Sequence, residues 1–238
     1  MAPVRRAEDL GGKGTPMSLH AEVLPPEQQA ALRQLGPAAT GLGFYLGGGT
    51  AIAIHLGHRQ SVDFDWFTAQ PLDDPLGLSR ELQSRGGDLK VGSVQRRTLH
   101  GNVAGVRVSF LEFHYPLLQP PVVWPEFGCQ LASLEDLAAM KLLAVSQRGT
   151  KKDFLDVYAL GTHGLSIPEM LTLYRRKFSV EDVGRVTYSL CYFDDADADP
   201  MPLMLTNETW PRAKAAIRDW VKAMTEGAGT RDEGTWNR

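Results

Sequence analysis

The run Gly47-Gly48-Gly49-Thr50 stands between an apolar triplet, Phe44-Tyr45-Leu46, and a helical stretch from Thr50 to Leu56 that Gly57 closes. A strand can turn that sharply into a helix because glycine adopts backbone angles that a Cβ disfavours. Such a turn also leaves the first helical amides bare, which is how a backbone holds a phosphate. Val62 to Phe67 then alternates apolar and acidic residues, the period of a half-buried strand. Asp63 and Asp65 therefore point to one side, where two carboxylates repel unless a cation or water compensates. Phe64, Trp66 and Phe67 are read as the apolar anchor on the other side. A phosphate cradle beside a carboxylate pair that holds a divalent metal is the minimum equipment for phosphoryl or nucleotidyl transfer. Taken singly, the glycines also suit a plain strand-to-helix connection, and the acids also suit a solvated edge.

The rest of the first half continues the alternation of helix and strand. Pro25-Pro26 opens a helix with Ala30, Ala31, Leu32 and Leu35 spaced for one buried side, ending near Gly36-Pro37. Leu76 to Gln83 reads as a helix. Leu89–Leu99 and Val103–Tyr115 read as two strands joined by a turn at His100-Gly101-Asn102. After Ser133 the pattern is helical: Ser133 to Gln147, Asp153 to Leu160, Pro168 to Phe178, Glu181 to Tyr192 and Trp210 to Met224. The expected organisation is a loose tail over 1–20, an α+β sheet domain over 21–132, a helical subdomain over 133–226 and a disordered tail over 227–238.

A second charged constellation lies on those helices. Lys141 and Arg148 are seven residues apart and share a side, and Lys151, Lys152, Asp153 and Asp156 follow. This is either a solvated face of exposed ion pairs or a second phosphate-handling group in which Lys141 meets a triphosphate. His55 and His58 are spaced i, i+3, but Gly57 breaks the helix between them, so a metal site is not expected there. Asp194, Asp195, Asp197 and Asp199 lack the glycine and terminal glutamate of a calcium loop and read as solvated.

Composition narrows the class. Twenty-five basic side chains stand against twenty-eight acidic ones, a net charge of −3 that argues against a general polyanion binder. Cys129 and Cys191 have no metal spacing and form no disulfide framework, as expected of a reducing compartment. No apolar run approaches the roughly 18 residues of a membrane span, so no membrane partner is expected and the cytoplasm is the expected location.

Leu46-Gly47-Gly48-Gly49-Thr50-Ala51, Gly57-His58-Arg59-Gln60-Ser61-Val62-Asp63-Phe64-Asp65 and Lys141-x6-Arg148-x3-Lys152-Asp153-x2-Asp156 together resemble the AbiEii/AbiGii-type nucleotidyltransferases. These belong to the polymerase-β-like nucleotidyltransferase superfamily and are often toxins of bacterial toxin–antitoxin pairs. The resemblance runs over residues 27–160, and residues 181–206 also look like the C-terminal helical part of such proteins. It implies a mixed sheet flanked by helices with a helical subdomain after it. Gly47, Gly48, Gly49 and Thr50 match the turn that holds nucleotide phosphates, with His58, Arg59 and Arg148 near them. Asp63 and Asp65 match the metal-binding acids, with Mg2+ or Mn2+ as the cation. Lys141 matches a nucleotide-holding lysine, and Asp153 or Asp156 an essential downstream acid. The implied reaction moves NMP from an NTP to an acceptor hydroxyl, on tRNA or another RNA in some relatives, and the implied protein partner is a cognate antitoxin.

One position departs from the superfamily, which often carries a third acid on the strand after Asp-x-Asp. Here Val106 to Glu112 puts Ser109 at that position and Glu112 on the opposite face. Two further readings follow. The acceptor is a small aminoglycoside-like molecule, with Asp194 to Asp199 as an acidic subsite, or the chain is an inactive relative that binds a nucleotide or partner. An RNA acceptor instead predicts a basic wall drawn from Arg148, Lys151, Lys152, Arg175, Arg176 and Lys177.

Overall fold

A computed structural model describes residues 5–6 and 18–229. The tails expected at 1–20 and 227–238 lie largely outside these residues. Where they are described, Arg5–Arg6 form a short strand and the last helix continues to Gly229. The chain divides into two compact units, Met1–Leu137 and Ala138–Arg238.

The first unit is built on an eight-stranded mixed sheet of order β1-β7-β8-β2-β3-β6-β5-β4. Its strands are β1 (Arg5–Arg6), β2 (Tyr45–Gly47), β3 (Asp63–Thr68), β4 (Lys90–Gln95), β5 (Thr98–Val103), β6 (Val106–Glu112), β7 (Val122–Trp124) and β8 (Cys129–Leu131). Helices α1 (Pro26–Gly41), α2 (Gly48–Leu56) and α3 (Pro75–Ser84) pack on it. The fold is α+β, because the sheet mixes parallel and antiparallel pairs and a run of helices follows it.

β3 is the central positioning element. It runs antiparallel to β2 and parallel to β6, so its ladder is closed on both sides. Phe64 and Trp66 are fully buried on one face, and the Trp66 ring stacks at 6.3 Å on Phe110 of β6. Each such side chain contributes roughly 1.5–3 kcal/mol by leaving water, which holds the strand firmly while its other face carries the acids. Phe67 belongs with the acids and not with the anchor: it is an odd-numbered residue of the pleat and stacks on Tyr45 at 6.1 Å.

The expected two strands over 89–115 are three. The turn is not at His100-Gly101-Asn102, which lie mid-strand in β5. The chain turns instead at Arg96-Arg97 and at Ala104-Gly105, where Arg97, Ala104 and Gly105 have φ of 61°, 51° and 86°. Positive φ in two-residue loops matches the twist of antiparallel ribbons. Asn102 supports the second turn from the strand end by accepting from the Gly105 amide at 2.7 Å.

The second unit takes most of α4 (Leu134–Gln147), then α5 (Lys151–Thr162), α6 (Ile167–Phe178), α7 (Gly184–Ser189), α8 (Asp194–Asp197) and α9 (Trp210–Gly229). The division falls inside the first turn of α4, where the sequence reading set it at 132/133. The Ser133 hydroxyl caps that turn, accepting from the Asp136 amide at 3.0 Å. Asp136 in turn accepts from the Leu118 and Gln119 amides, which ties the turn to the first unit. In the second unit, Phe154, Phe193 and Trp210 form an aromatic cluster. No helix among the described residues is long and apolar enough to cross a membrane.

His55 holds α2 in place: its ring shares a 2.9 Å hydrogen bond with the Ala132 carbonyl. Burial pushes its imidazole down to about 4, outweighing the raising effect of that hydrogen bond. In the unfolded chain the same ring titrates near 6.5. The folded state therefore holds His55 neutral, and this stabilisation is complete above pH 6.5 and is lost as pH falls towards 4, amounting to about 3 kcal/mol. Chemical denaturation at pH 7 and pH 4.5 is expected to show that loss, and His55→Gln, which keeps a donor but cannot titrate, is expected to flatten the slope. An unchanged slope would remove His55 as its source.

Candidate active site

Strand register assembles the site. Gly47 of β2 pairs with Asp65 of β3, Asp65 with Ser109 of β6, and Ser109 with His100 of β5. One pleat along, Asp63 pairs with Arg107 and Arg107 with Asn102. Alternation then puts Asp63, Asp65, Arg107, Ser109 and His100 on one face. They line a cavity of about 300 Å³ together with Gly101 and Val108, the small end of the range for ligand sites.

The glycine turn abuts this pocket. Gly47 caps α2 and Gly48 is its first residue, with φ of +65°. A Cβ at Gly48 would lie 2.8 Å from Asp65 Oδ2, so the backbone passes against the carboxylate only because the side chain is absent. The helix starts two residues before the expected Thr50. Thr50 is buried inside the first turn, where its hydroxyl donates to the Asp63 carbonyl and shares a 2.7 Å hydrogen bond with Ser61. It therefore fastens α2 to the start of β3 rather than facing the cavity. Gly48 and Gly49 remain partly exposed.

The charges are partly matched. Arg107 grips Asp63 as a fork, Nε donating to Oδ1 at 2.7 Å and Nη2 to Oδ2 at 3.2 Å. Both side chains are accessible, Arg107 at 75% and Asp63 at 30%. His100 Nδ1 shares a 3.1 Å hydrogen bond with Ser109 Oγ. Glu112 is engaged away from the cavity, accepting from the Leu72 amide at 3.0 Å and pairing with Arg97. Among the described residues no group of three His, Cys, Asp or Glu side chains forms a metal cage. Two carboxylates on one strand face still match Mg2+, which takes one or two protein carboxylates and completes its shell with substrate phosphates and water.

His58 and Arg59, expected near phosphates, are buried, and Arg59 Nη1 donates to the Gln60 carbonyl at 2.9 Å. Sequence reasoning missed Arg107 and His100. The alternation of Val106-Arg107-Val108-Ser109 already placed Arg107 on the face of Ser109, whereas His100 was lost to the misplaced turn.

Lys141, Arg148, Asp153 and Asp156 form a cluster in the second unit. Lys141 Nζ lies 2.9 Å from Asp153 Oδ1 and 2.9 Å from Asp156 Oδ2, with all three side chains almost fully buried. Arg148 forks onto Asp153 at 2.9 and 3.1 Å, and the Thr150 hydroxyl donates to Asp153 at 2.6 Å. Burial alone would raise the Asp153 carboxyl, but Lys141, Arg148 and Thr150 reverse this and hold it well below the usual carboxylate range. The expected basic wall is thinner than its sequence implied. Lys151 is buried with its ammonium on the Asp197 and Asp199 carbonyls, and Lys177 is fully buried. Lys152, Arg175 and Arg176 are exposed. The acidic run is likewise no open loop: Asp194–Asp197 is a single helical turn, Asp197 pairs with Lys214 at 2.6 Å, and Asp199 accepts from the Lys151 amide.

A mixed sheet that sets an Asp-x-Asp strand against a glycine turn defines a nucleotidyltransferase. The sequence matches the family described as Nucleotidyl transferase AbiEii toxin, Type IV TA system, over residues 30–122 and 104–233, and the chain belongs to it. It is 37% identical over 181 residues to an uncharacterized protein of Aquifex aeolicus (strain VF5), covering 73% of this chain and 84% of that one. Solved structures share the fold at low identity. MenT4, a nucleotidyltransferase toxin from Mycobacterium tuberculosis H37Rv, superposes with a TM-score of 0.58 at 14% identity over 83% of this chain and 82% of its own. A candidate nucleotidyltransferase from H. pylori gives 0.50 at 13% identity over 87% and 95%.

Removing one member of a buried ion network leaves the others uncompensated and costs about 3–5 kcal/mol. Lys141→Ala is accordingly expected to lower unfolding free energy by that amount in a urea titration, whatever it does to nucleotide binding. A variant as stable as wild type that has lost only nucleotide affinity would return Lys141 to the role of direct ligand.

Proposed function

We propose that this chain transfers a nucleoside monophosphate from an NTP to an acceptor hydroxyl, with a divalent cation held by Asp63 and Asp65. The observation that carries the reading is the close passage of the chain at Gly48, where a Cβ would lie 2.8 Å from the Asp65 carboxylate, which sets the start of α2 beside the cavity that Asp63 and Asp65 line. Mg2+ or Mn2+ bound there would neutralise the triphosphate and favour departure of pyrophosphate.

The chain's own residues divide the remaining work. Gly48 and Gly49 offer main-chain N–H groups to phosphate oxygens at the positive end of α2. Ser109 stands where many relatives of the superfamily carry a third acid, so no carboxylate on β6 takes the acceptor's proton. His100, hydrogen-bonded to Ser109, is the imidazole on that face, and in this reading it receives the proton as the hydroxyl attacks the α-phosphate in line. Asp63 and Asp65 serve as the cation ligands in this reading. Within its family the chain takes the role of the toxin, with a cognate antitoxin as partner. An RNA acceptor such as tRNA would draw on the exposed cations Lys152, Arg175 and Arg176.

The test is transfer of label from each of the four NTPs to total tRNA in Mg2+. Wild-type protein is expected to label RNA, and Asp65→Asn to lose about a hundredfold or more with melting temperature unchanged or raised, because one of two repelling charges is gone. His100→Gln is expected to slow transfer by about the same factor while leaving nucleotide affinity in place. Labelling that survives Asp65→Asn would overturn the reading, and a large loss of stability would make Asp65 structural.

A further inference from the structure

Arg107 is a cation with five donors that cannot lose its charge, and it sits directly on the carboxylate assigned to the metal. Its fork occupies both Asp63 oxygens, at 2.7 and 3.2 Å. The pairing is set by register, because Arg107 is the cross-strand partner of Asp63 on the parallel strand β6. A divalent cation and a guanidinium cannot both take the same carboxylate face, so the fork must open before the cation is held.

The exposure of the pair decides how easily that happens. At 75% accessible, Arg107 is hydrated along most of its length, and an exposed ion pair of this kind contributes at most about a few-fold to any equilibrium. Nothing buried is broken when it swings. Charge decides where it goes. Asp63, Asp65 and Arg107 by themselves sum to one net negative charge. A bound divalent cation turns that into a net positive charge, shared between the cation and a released Arg107. A triphosphate is the anion drawn to such a face, and a planar fork suits phosphate oxygens as well as it suits a carboxylate.

We propose that Arg107 is a transferable counter-ion: it closes Asp63 while the pocket is unloaded and moves to the triphosphate once a divalent cation has taken that carboxylate. The inference rests on the nucleotidyltransferase reading and adds to it a nucleotide-binding residue on β6. It also predicts that cation and nucleotide bind cooperatively, since each removes the reason for Arg107 to remain on Asp63.

The experiment reads binding, not turnover. Mn2+ is titrated into the nucleotide-free full-length protein by electron paramagnetic resonance, and each of the four NTPs is then titrated in saturating Mn2+ by calorimetry. For Arg107→Met the expected result is a change of opposite sign in the two titrations: Mn2+ binds roughly twofold to fivefold more tightly, and the preferred NTP binds about tenfold more weakly. Arg107→Lys should fall between, because a point charge holds neither group as a fork. Adding Asp63→Asn to Arg107→Met should abolish the gain in Mn2+ affinity, and circular dichroism of each variant checks that it folds. The proposal is overturned if Arg107→Met takes up no more Mn2+ than wild type, or if both affinities fall together. Failure of the underlying reading looks different: Asp65→Asn would then leave Mn2+ and NTP binding as they are in wild type.

Discussion

The repulsion between Asp63 and Asp65 is the constraint around which the first unit is arranged. Two carboxylates one pleat apart on a strand are unfavourable, and the strand must be held by something else. Phe64 and Trp66, fully buried on the reverse face, supply that hold together with paired neighbours on both edges. The hydrophobic face thus positions a charged face that would not order itself. Gly48 completes the arrangement by letting main chain approach Asp65 where any side chain would collide.

The two charged clusters look alike in sequence and differ in energetics. Asp63 and Arg107 are accessible, so their pairing contributes at most about 1 kcal/mol and can be exchanged for a ligand. Lys141, Asp153 and Asp156 are sealed from solvent, and breaking that network costs several times more. The first is suited to a binding cycle. The second is suited to holding α4 and α5 in register, and the capping box at Thr150 and Asp153 serves the same end. Burial, not residue type, separates a pair that a ligand could displace from one that costs several kcal/mol to break.

Much of this was legible in the chain. The period-2 alternation of β3 and the glycine run at 47–49 fixed the acid face and the turn, and the start of α4 followed from Ser133. What misled the reading was local composition. His100-Gly101-Asn102 looks like a turn, yet the two-residue loops at Arg96-Arg97 and Ala104-Gly105 are set by the register that β5 needs against β6. Thr50 looks like a helix cap, yet its hydroxyl is drawn to the Asp63 carbonyl. Lys151 and Lys177 look like a basic surface, yet both are buried, a matter of tertiary packing that no single stretch of sequence states.

The central claim is that the Asp63 and Asp65 carboxylates and the amides of the glycine turn serve one bound metal–triphosphate. Anomalous scattering from a crystal soaked with Mn2+ and a non-hydrolysable NTP analogue tests it most directly. The account predicts a manganese peak bonded to oxygens of both Asp63 and Asp65, with phosphate oxygens within hydrogen-bond distance of the Gly48 or Gly49 amide. A nucleotide bound elsewhere, with no manganese at these two carboxylates, would contradict it.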